Sequence, residues 1–284
     1  MNTHELKGID GTNPIGFLAA MGAFRVATLR APNATLAWQS DAPAPYPLLA
    51  TTLSPEGFAQ AVCEEAARVA EALKKHGDVI KCAPAQYRET CKVHLDHGGL
   101  PGDLSLADYF SAFACDSVTD KDGFVLPTLL SFSNGGGGQK LLKDFAALSI
   151  LCDLRDVQDN IFGKQIHTKA CTNLNWAPNA LRSYALRWKD PEKTDKESNV
   201  PLHVLAFLGL ALFPCAPNGA ALGTTGFDGR GKAWKWPIWT TSAAYHTVTS
   251  LLASPCVCAS GIRYYSSLRF SSNKRLYFTP STPI

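Results

Sequence analysis

Asn13-Pro14-Ile15-Gly16-Phe17-Leu18-Ala19-Ala20-Met21-Gly22 runs from a turn into an apolar helix, and its pattern returns at Pro201-Leu202-His203-Val204-Leu205-Ala206-Phe207-Leu208-Gly209. Each copy reads Pro, an aliphatic residue, two variable positions, Leu-Ala, one variable position, Met or Leu, then Gly. Pro suits a first helical turn, where its missing N–H costs nothing. The terminal Gly of each word lets another backbone approach the helix. A tryptophan-bearing strand follows each helix, at Leu36-Ala37-Trp38 and at Trp234-Lys235-Trp236. No solenoid period accompanies the repetition. Two readings stay open: two buried helices that share a wording by convergence, or two related helix–strand units in an α+β body with mostly antiparallel strands.

Working outward, the 284 residues suffice for one large domain or two small ones, and a chain 46% hydrophobic and 18% charged builds a substantial core. The net charge of +3 is unevenly spread. After Glu197 the single acidic residue, Asp228, stands against Arg230, Lys232, Lys235, Arg263, Arg269, Lys274 and Arg275. The last 87 residues therefore carry +6 and the first 197 carry −3. Such asymmetry points either to a polyanion-facing C-terminal part or to a solvated basic surface. The nine cysteines are odd in number and scattered in spacing, which predicts reduced thiols in a cytoplasm. The apolar run from Ile15 lacks the basic flank and cleavage site of a signal peptide. Val200 to Ala216 is broken by prolines and His203, so no membrane partner is expected.

Ser54-Pro55-Glu56 marks a helix start, with Ser as N-cap, and the helix reaches about Lys75. Leu106, Tyr109, Phe110 and Phe113 form an apolar helical stripe. Phe124 to Phe132 reads as a strand, followed by a glycine run and an amphipathic helix to about Leu151. The charged stretch 190–198 reads as an exposed linker between an N-terminal α+β body (1–189) and a basic C-terminal α+β part (199–284). Asn218 to Lys232, with five glycines, reads as a mobile loop, Ser242 to Leu252 as a helix, and Ile262 to Thr279 as a hairpin.

Three constellations could carry chemistry. The first is Ser133-Asn134-Gly135-Gly136-Gly137-Gly138-Gln139-Lys140 between a strand and a helix, a setting in which backbone N–H groups can grip phosphate, with Lys140 and Lys143 adding charge. The Walker spacing fails, and Leu141 stands where a magnesium-binding hydroxyl would be needed. A plain surface loop is the competing reading. The second is Cys82, Cys91, His94 and His97, a possible zinc set whose spacing matches no closed finger. Satisfied polar side chains explain it better, and no cofactor is expected. The third is the C-terminal hairpin, where Arg263, Tyr264, Tyr265, Arg269, Phe270, Lys274, Arg275, Tyr277 and Phe278 interleave bases with aromatics. Alternate strand residues share a face, so Arg263, Tyr265 and Arg269 can lie together and present stacking rings beside phosphate-holding cations. The alternative is a core hairpin with inward rings and solvated bases. No nucleophilic triad, serine elbow or two-metal carboxylate cluster is legible, which leaves no positive argument for an enzyme.

Four stretches together carry a family likeness. They are Leu6-Lys7-Gly8 through Gly22 with Trp38; Trp176-Ala177-Pro178 with Arg182-Ser183-Tyr184-Ala185-Leu186-Arg187 and Asp190-Pro191; Leu205-Ala206-Phe207-Leu208-Gly209-Leu210 with Phe213-Pro214; and Trp236-Pro237-Ile238-Trp239 before Leu251-Leu252. Across 1–40 and 175–284 the chain resembles the CRISPR-associated proteins of type I-U (now I-G) systems, the large-subunit-like members of the Cascade surveillance complex. The likeness rests on hydrophobic signatures, and the chain is short for a large subunit. It implies a non-catalytic subunit that contacts guide RNA and target DNA, sits among other effector-complex subunits, and helps recruit a helicase-nuclease. In such complexes base pairing reads sequence while protein reads shape and a short motif. Nucleic-acid contacts are accordingly expected at Asn134, Gly135, Gly136, Gly137, Gly138, Lys140, Lys143, Arg263, Arg269, Lys274 and Arg275. Two other function classes stand beside this one: a phosphate-binding enzyme using the 133–140 loop, and a protein–protein adaptor without nucleic-acid contact.

Overall fold

A computed structural model describes residues 1–77, 80–95, 106–132, 140–163, 165–178, 197–254, 261–270 and 276–284. At its centre lies helix α1 (Pro14–Arg30), buried on every side from Pro14 to Ala27. A helix apolar all round has no solvent face to offer. Its partner is α7 (Val200–Gly209), buried over nearly its whole length and capped by Asn199, whose side chain accepts from Leu202 N. The two repeated words meet here, and they meet reciprocally. A Cβ on Gly22 would lie 1.8 Å from the carbonyl oxygen of Leu205, and one on Gly209 would lie 2.2 Å from that of Leu18. Each glycine thus receives the backbone carbonyl four residues before the glycine of the other word. Only glycine permits backbones this close.

Strands β1 (Asn2–Glu5), β2 (Thr35–Gln39) and β3 (Tyr46–Thr51) form an antiparallel sheet in the order β1-β3-β2, extended at β2 by β11 (Ala243–Ala244). A second antiparallel sheet places β12 (Ile262–Phe270) between β10 (Ala233–Ile238) on one edge and β13 (Leu276–Phe278) with β14 (Thr282–Pro283) on the other. Trp239 joins the sheets. Its carbonyl accepts from Trp38 N at 2.9 Å, and its indole N–H donates to Leu36 O at 2.8 Å. Phe17 of the first word packs under both tryptophan strands, 5.7 Å from Trp38 and 5.9 Å from each of Trp234 and Trp236. One continuous apolar core runs from Leu6 to Phe278 through these contacts. The architecture is α+β.

The turn before α1 is the hub where these layers meet. Asp10 accepts from Thr12 N, Thr12 Oγ1 and the Asn13 side-chain amide. The Trp236 indole donates to Gly11 O at 2.9 Å, and Ser281 Oγ donates to Thr12 O. Gly8-Ile9-Asp10-Gly11 is therefore spent on packing and turn geometry.

Helix α2 (Pro55–Leu73) starts as the sequence predicts, with Ser54 Oγ accepting from Gly57 N at 3.1 Å. Helices α3 (Pro84–Leu95), α4 (Leu106–Phe113), α5 (Leu141–Leu151), α6 (Leu154–Ile161) and α8 (Tyr245–Ala253) complete the described helices longer than one turn. Three local expectations need correction. The predicted strand Phe124 to Phe132 shortens to β5 (Val125–Pro127), paired with β4 (Ala114–Thr119), because Thr128, whose side chain accepts from Leu130 N, turns the chain out of the strand. A 3-10 turn over Leu129–Ser131 follows it. The glycine-rich stretch from Asn218 begins in a hairpin, β8 (Cys215–Asn218) against β9 (Ala221–Thr224), turned through Gly219 at φ +61. At the linker, Glu197–Ser198 forms β7 against β6 (Lys169–Ala170), so these two residues are tied to the body. Residues 190–196 lie outside the described residues. Among the described residues, no helix is long and apolar enough to cross a membrane, and all seven cysteines are free thiols.

Candidate nucleic-acid interface

The second sheet has two unlike faces, written into its strands by period-2 alternation. On β10, Trp234 and Trp236 are buried while Lys235 between them is exposed. On β12, Tyr264 and Ser266 turn inward: the Tyr264 ring lies 6.1 Å from Trp236, and Ser266 Oγ donates to Thr279 O at 2.6 Å. Arg263, Tyr265, Ser267 and Arg269 occupy the alternate positions, half-buried or exposed. On β13, Phe278 is fully buried against Trp234 at 5.8 Å, and Tyr277 alternates with it.

Register sets the outer face in rows, because directly opposed residues of antiparallel strands share a face. Lys235 stands opposite Tyr265, and Arg269 opposite Tyr277. Between the two pairs lies Ala233 opposite Ser267, both small. Arg263 sits at one end of the row, opposite Pro237. The structure thus brings together Arg263 and Arg269, the two sequence-predicted hairpin cations that it describes. It adds Lys235 and Tyr277 to the row in which Arg263, Tyr265 and Arg269 are expected together. The alternation Trp-Lys-Trp was the signal that could have placed Lys235 on the outer face.

Many cations of the N-terminal part are paired, although Lys75, Lys81, Lys121 and Lys143 have no ion-pair partner among the described residues. There, Arg30 pairs with Glu64, Arg68 with Glu65, Arg88 with Asp116, and Lys169 with both Asp153 and Asp156, all within 2.6 to 2.8 Å. Lys235, Arg263 and Arg269 have no ion-pair partner among the described residues. Asp228 is held by its own turn, accepting from Lys232 N at 2.8 Å. A row of cations with no ion-paired carboxylate among the described residues favours a polyanion.

Asn134 and Gly135 to Gly138 lie outside the described residues, as do Lys274 and Arg275. Their flanks are visible. Phe132, at φ +47, packs its ring 5.2 Å from Phe278, so the chain leads into the glycine run from the core face of the same sheet. Lys140 caps α5, its carbonyl accepting from Asp144 N at 2.8 Å, and Lys143 is exposed on the first turn.

Of the suggested zinc set, His97 lies outside the described residues, and the other three do not form a metal cluster with any described group. Cys91 lines a cleft of about 240 Å³ with Tyr87, Phe110, Cys115 and Cys215. His94 instead stacks on Phe110 at 5.0 Å and approaches His76, with the two Nε2 atoms 3.5 Å apart. Burial and the His94 and Lys75 charges hold His76 down to about 4. Burial pushes the Cys82, Cys91 and Cys215 thiols up, so they stay protonated at neutral pH and are poor nucleophiles.

No protein-family model matches this chain, and no curated protein matches it.

Proposed function

We propose that the chain is a non-catalytic nucleic-acid-binding subunit of a cytoplasmic RNA-guided effector complex, using the outer face of the C-terminal sheet. The observation that carries this reading is the row of Lys235, Arg263 and Arg269 interleaved with Tyr265 and Tyr277, unpaired with any described carboxylate. The likeness of the repeated words and tryptophan strands to type I-U CRISPR-associated proteins supports the assembly: guide RNA, target DNA, companion subunits and a helicase-nuclease recruited to them. The segment 271–275 belongs to the same proposal because β12 and β13 flank it, and the glycine run is included because Phe132, beside it, packs on Phe278 of this sheet. An exposed apolar corner at Ile150 and Leu154, 84% and 44% exposed, favours contact with a companion subunit as well.

The test is to isolate the chain from its native cells under mild salt and analyse what comes with it. A large ribonucleoprotein containing short guide RNA is the expected result. A stable free monomer at native abundance, without RNA, would overturn the proposal.

A further inference from the structure

The cations on the outer face of the C-terminal sheet account for attraction to any nucleic acid; the tyrosines between them narrow the kind. Tyr265 and Tyr277 stand half-buried on the outer face of a sheet whose other aromatics are turned inward or lie at its exposed edge. Among the described residues, neither ring packs against another ring, no cation sits over either face, and neither hydroxyl makes a hydrogen bond. This separates them from Tyr264, one residue away, which stacks on Trp236 in the core. Aromatic rings serve a sheet by packing on neighbouring rings and by burial, and these two are half-buried with no ring neighbour among the described residues.

Each ring stands beside a cation: Tyr265 across from Lys235, and Tyr277 across from Arg269. The two pairs are four residues apart along β12, about 13 Å at strand rise. Ala233 and Ser267, both small, lie between them. A base whose π-face is free can lie on a tyrosine while its phosphate meets the adjacent cation, and small residues between leave room for the connecting backbone. Bases inside a duplex are already stacked on one another and offer no free face, so a duplex would use the cations and leave both rings idle.

Resting on the nucleic-acid reading above, we infer that this face binds an unpaired strand, with Tyr265 and Tyr277 as two separate base platforms and Lys235, Arg263 and Arg269 as phosphate contacts. Readout is by stacking and backbone charge, so it tolerates sequence. RNA and DNA single strands share this chemistry.

The experiment titrates the full chain against a fluorescent 12-nucleotide single-stranded RNA, the same sequence as single-stranded DNA, and the blunt DNA duplex, each at several salt concentrations. The wild type should bind a single strand more tightly than the duplex, and the RNA and DNA arms show which strand is preferred. The Tyr265→Leu/Tyr277→Leu pair keeps apolar bulk on the sheet but removes the rings. It should weaken single-strand binding at least about tenfold while leaving duplex binding and the salt slope unchanged. The Tyr265→Phe/Tyr277→Phe pair should restore affinity, since stacking needs the ring and not the hydroxyl. Melting curves for both pairs confirm a retained fold.

Equal or tighter duplex binding, or single-strand affinity indifferent to the Leu pair, would overturn the inference while the nucleic-acid reading stood. No salt-sensitive binding to any of the three probes would overturn both.

Discussion

The α1–α7 pair and the outer face of the C-terminal sheet use sequence in opposite ways. The pair is built from the most conspicuous wording in the chain, and every part of that wording is consumed internally. Its prolines start helices, its glycines admit carbonyls, and Phe17 and Phe207 fill the core, Phe207 stacking on Phe145 at 3.7 Å. The sheet face is built from ordinary alternation, and what it leaves over is what faces water: Lys235, Arg263, Tyr265, Arg269 and Tyr277. A repeated motif therefore marks where this protein holds itself together, and unspent side chains mark where it can hold something else.

The sharpest way to break that comparison is at the glycines. Gly22→Ala should cost about 3 kcal/mol or more, because its methyl group would meet a backbone carbonyl that no rotamer change can move. Gly22→Val should prevent folding. Gly57→Ala in α2 is the control: its nearest neighbour would be Ser54 Oγ at 3.4 Å, so stability should hold or rise by about 0.5 kcal/mol. Chemical denaturation of the three variants reads this directly, and a harmless Gly22→Ala would mean the helices are not in close contact.

Next comes the buried charge of α1. Arg25 is fully enclosed, bonded to Asp108 at 2.9 Å and placed over the Tyr109 ring. Asp108→Ala removes this carboxylate from the enclosed guanidinium and should cost about 2–3 kcal/mol, below the range for fully enclosed pairs because Asp108 is 36% exposed. Arg25→Met should recover part of the loss in the Asp108→Ala background.

The third effect depends on pH. Burial holds His203, on α7, down to about 4, against an ordinary 6.5. Above pH 6.5 both folded and unfolded chains carry neutral imidazole and stability is intact. As pH falls from 6.5 toward 4 only the unfolded chain takes up the proton, so stability is lost, by about 2 kcal/mol at pH 5. Denaturation at pH 7.5 and pH 5 should show the loss, and His203→Gln should flatten it in part; His76, also held to about 4, supplies a remainder.

The smallest stability effect belongs to the sheet face. Lys235→Ala, Arg263→Ala and Arg269→Ala should each change stability by no more than about 0.5 kcal/mol. Each should lower the salt slope of nucleic-acid binding by about one unit. If the triple variant melted as early as Gly22→Ala, the face would be structural and the contrast between the regions would collapse.

Legibility in the sequence followed the range of the interaction. The start of α2 was readable because Ser54, Pro55 and Glu56 act within one turn. So were both apolar helices, whose all-round hydrophobicity needs no partner to be recognised. The hairpin cations Arg263 and Arg269 were correctly assigned to one face by alternation alone. The strand predicted through Phe132 ends before Thr128, which caps a 3-10 turn, a local signal that the apolar run around it outweighs. Glycines from Asn218 onward suggested mobility, yet Gly219 serves as the left-handed turn of a hairpin. Composition reports conformational freedom without saying which turn uses it.

By itself the sequence determined the α+β composition, the main helix starts, the basic C-terminal charge and the in–out pattern of β12, since all of these follow from neighbours within a few residues. Only the tertiary structure decided that Gly22 and Gly209 receive each other's carbonyls, that Lys235 lies beside Tyr265, and that Tyr265 and Tyr277 sit half-buried with no ring packed on them among the described residues. Such pairings join residues tens to hundreds of positions apart. They are selected by the register in which whole strands and helices bury their apolar faces together, and no local preference encodes that choice.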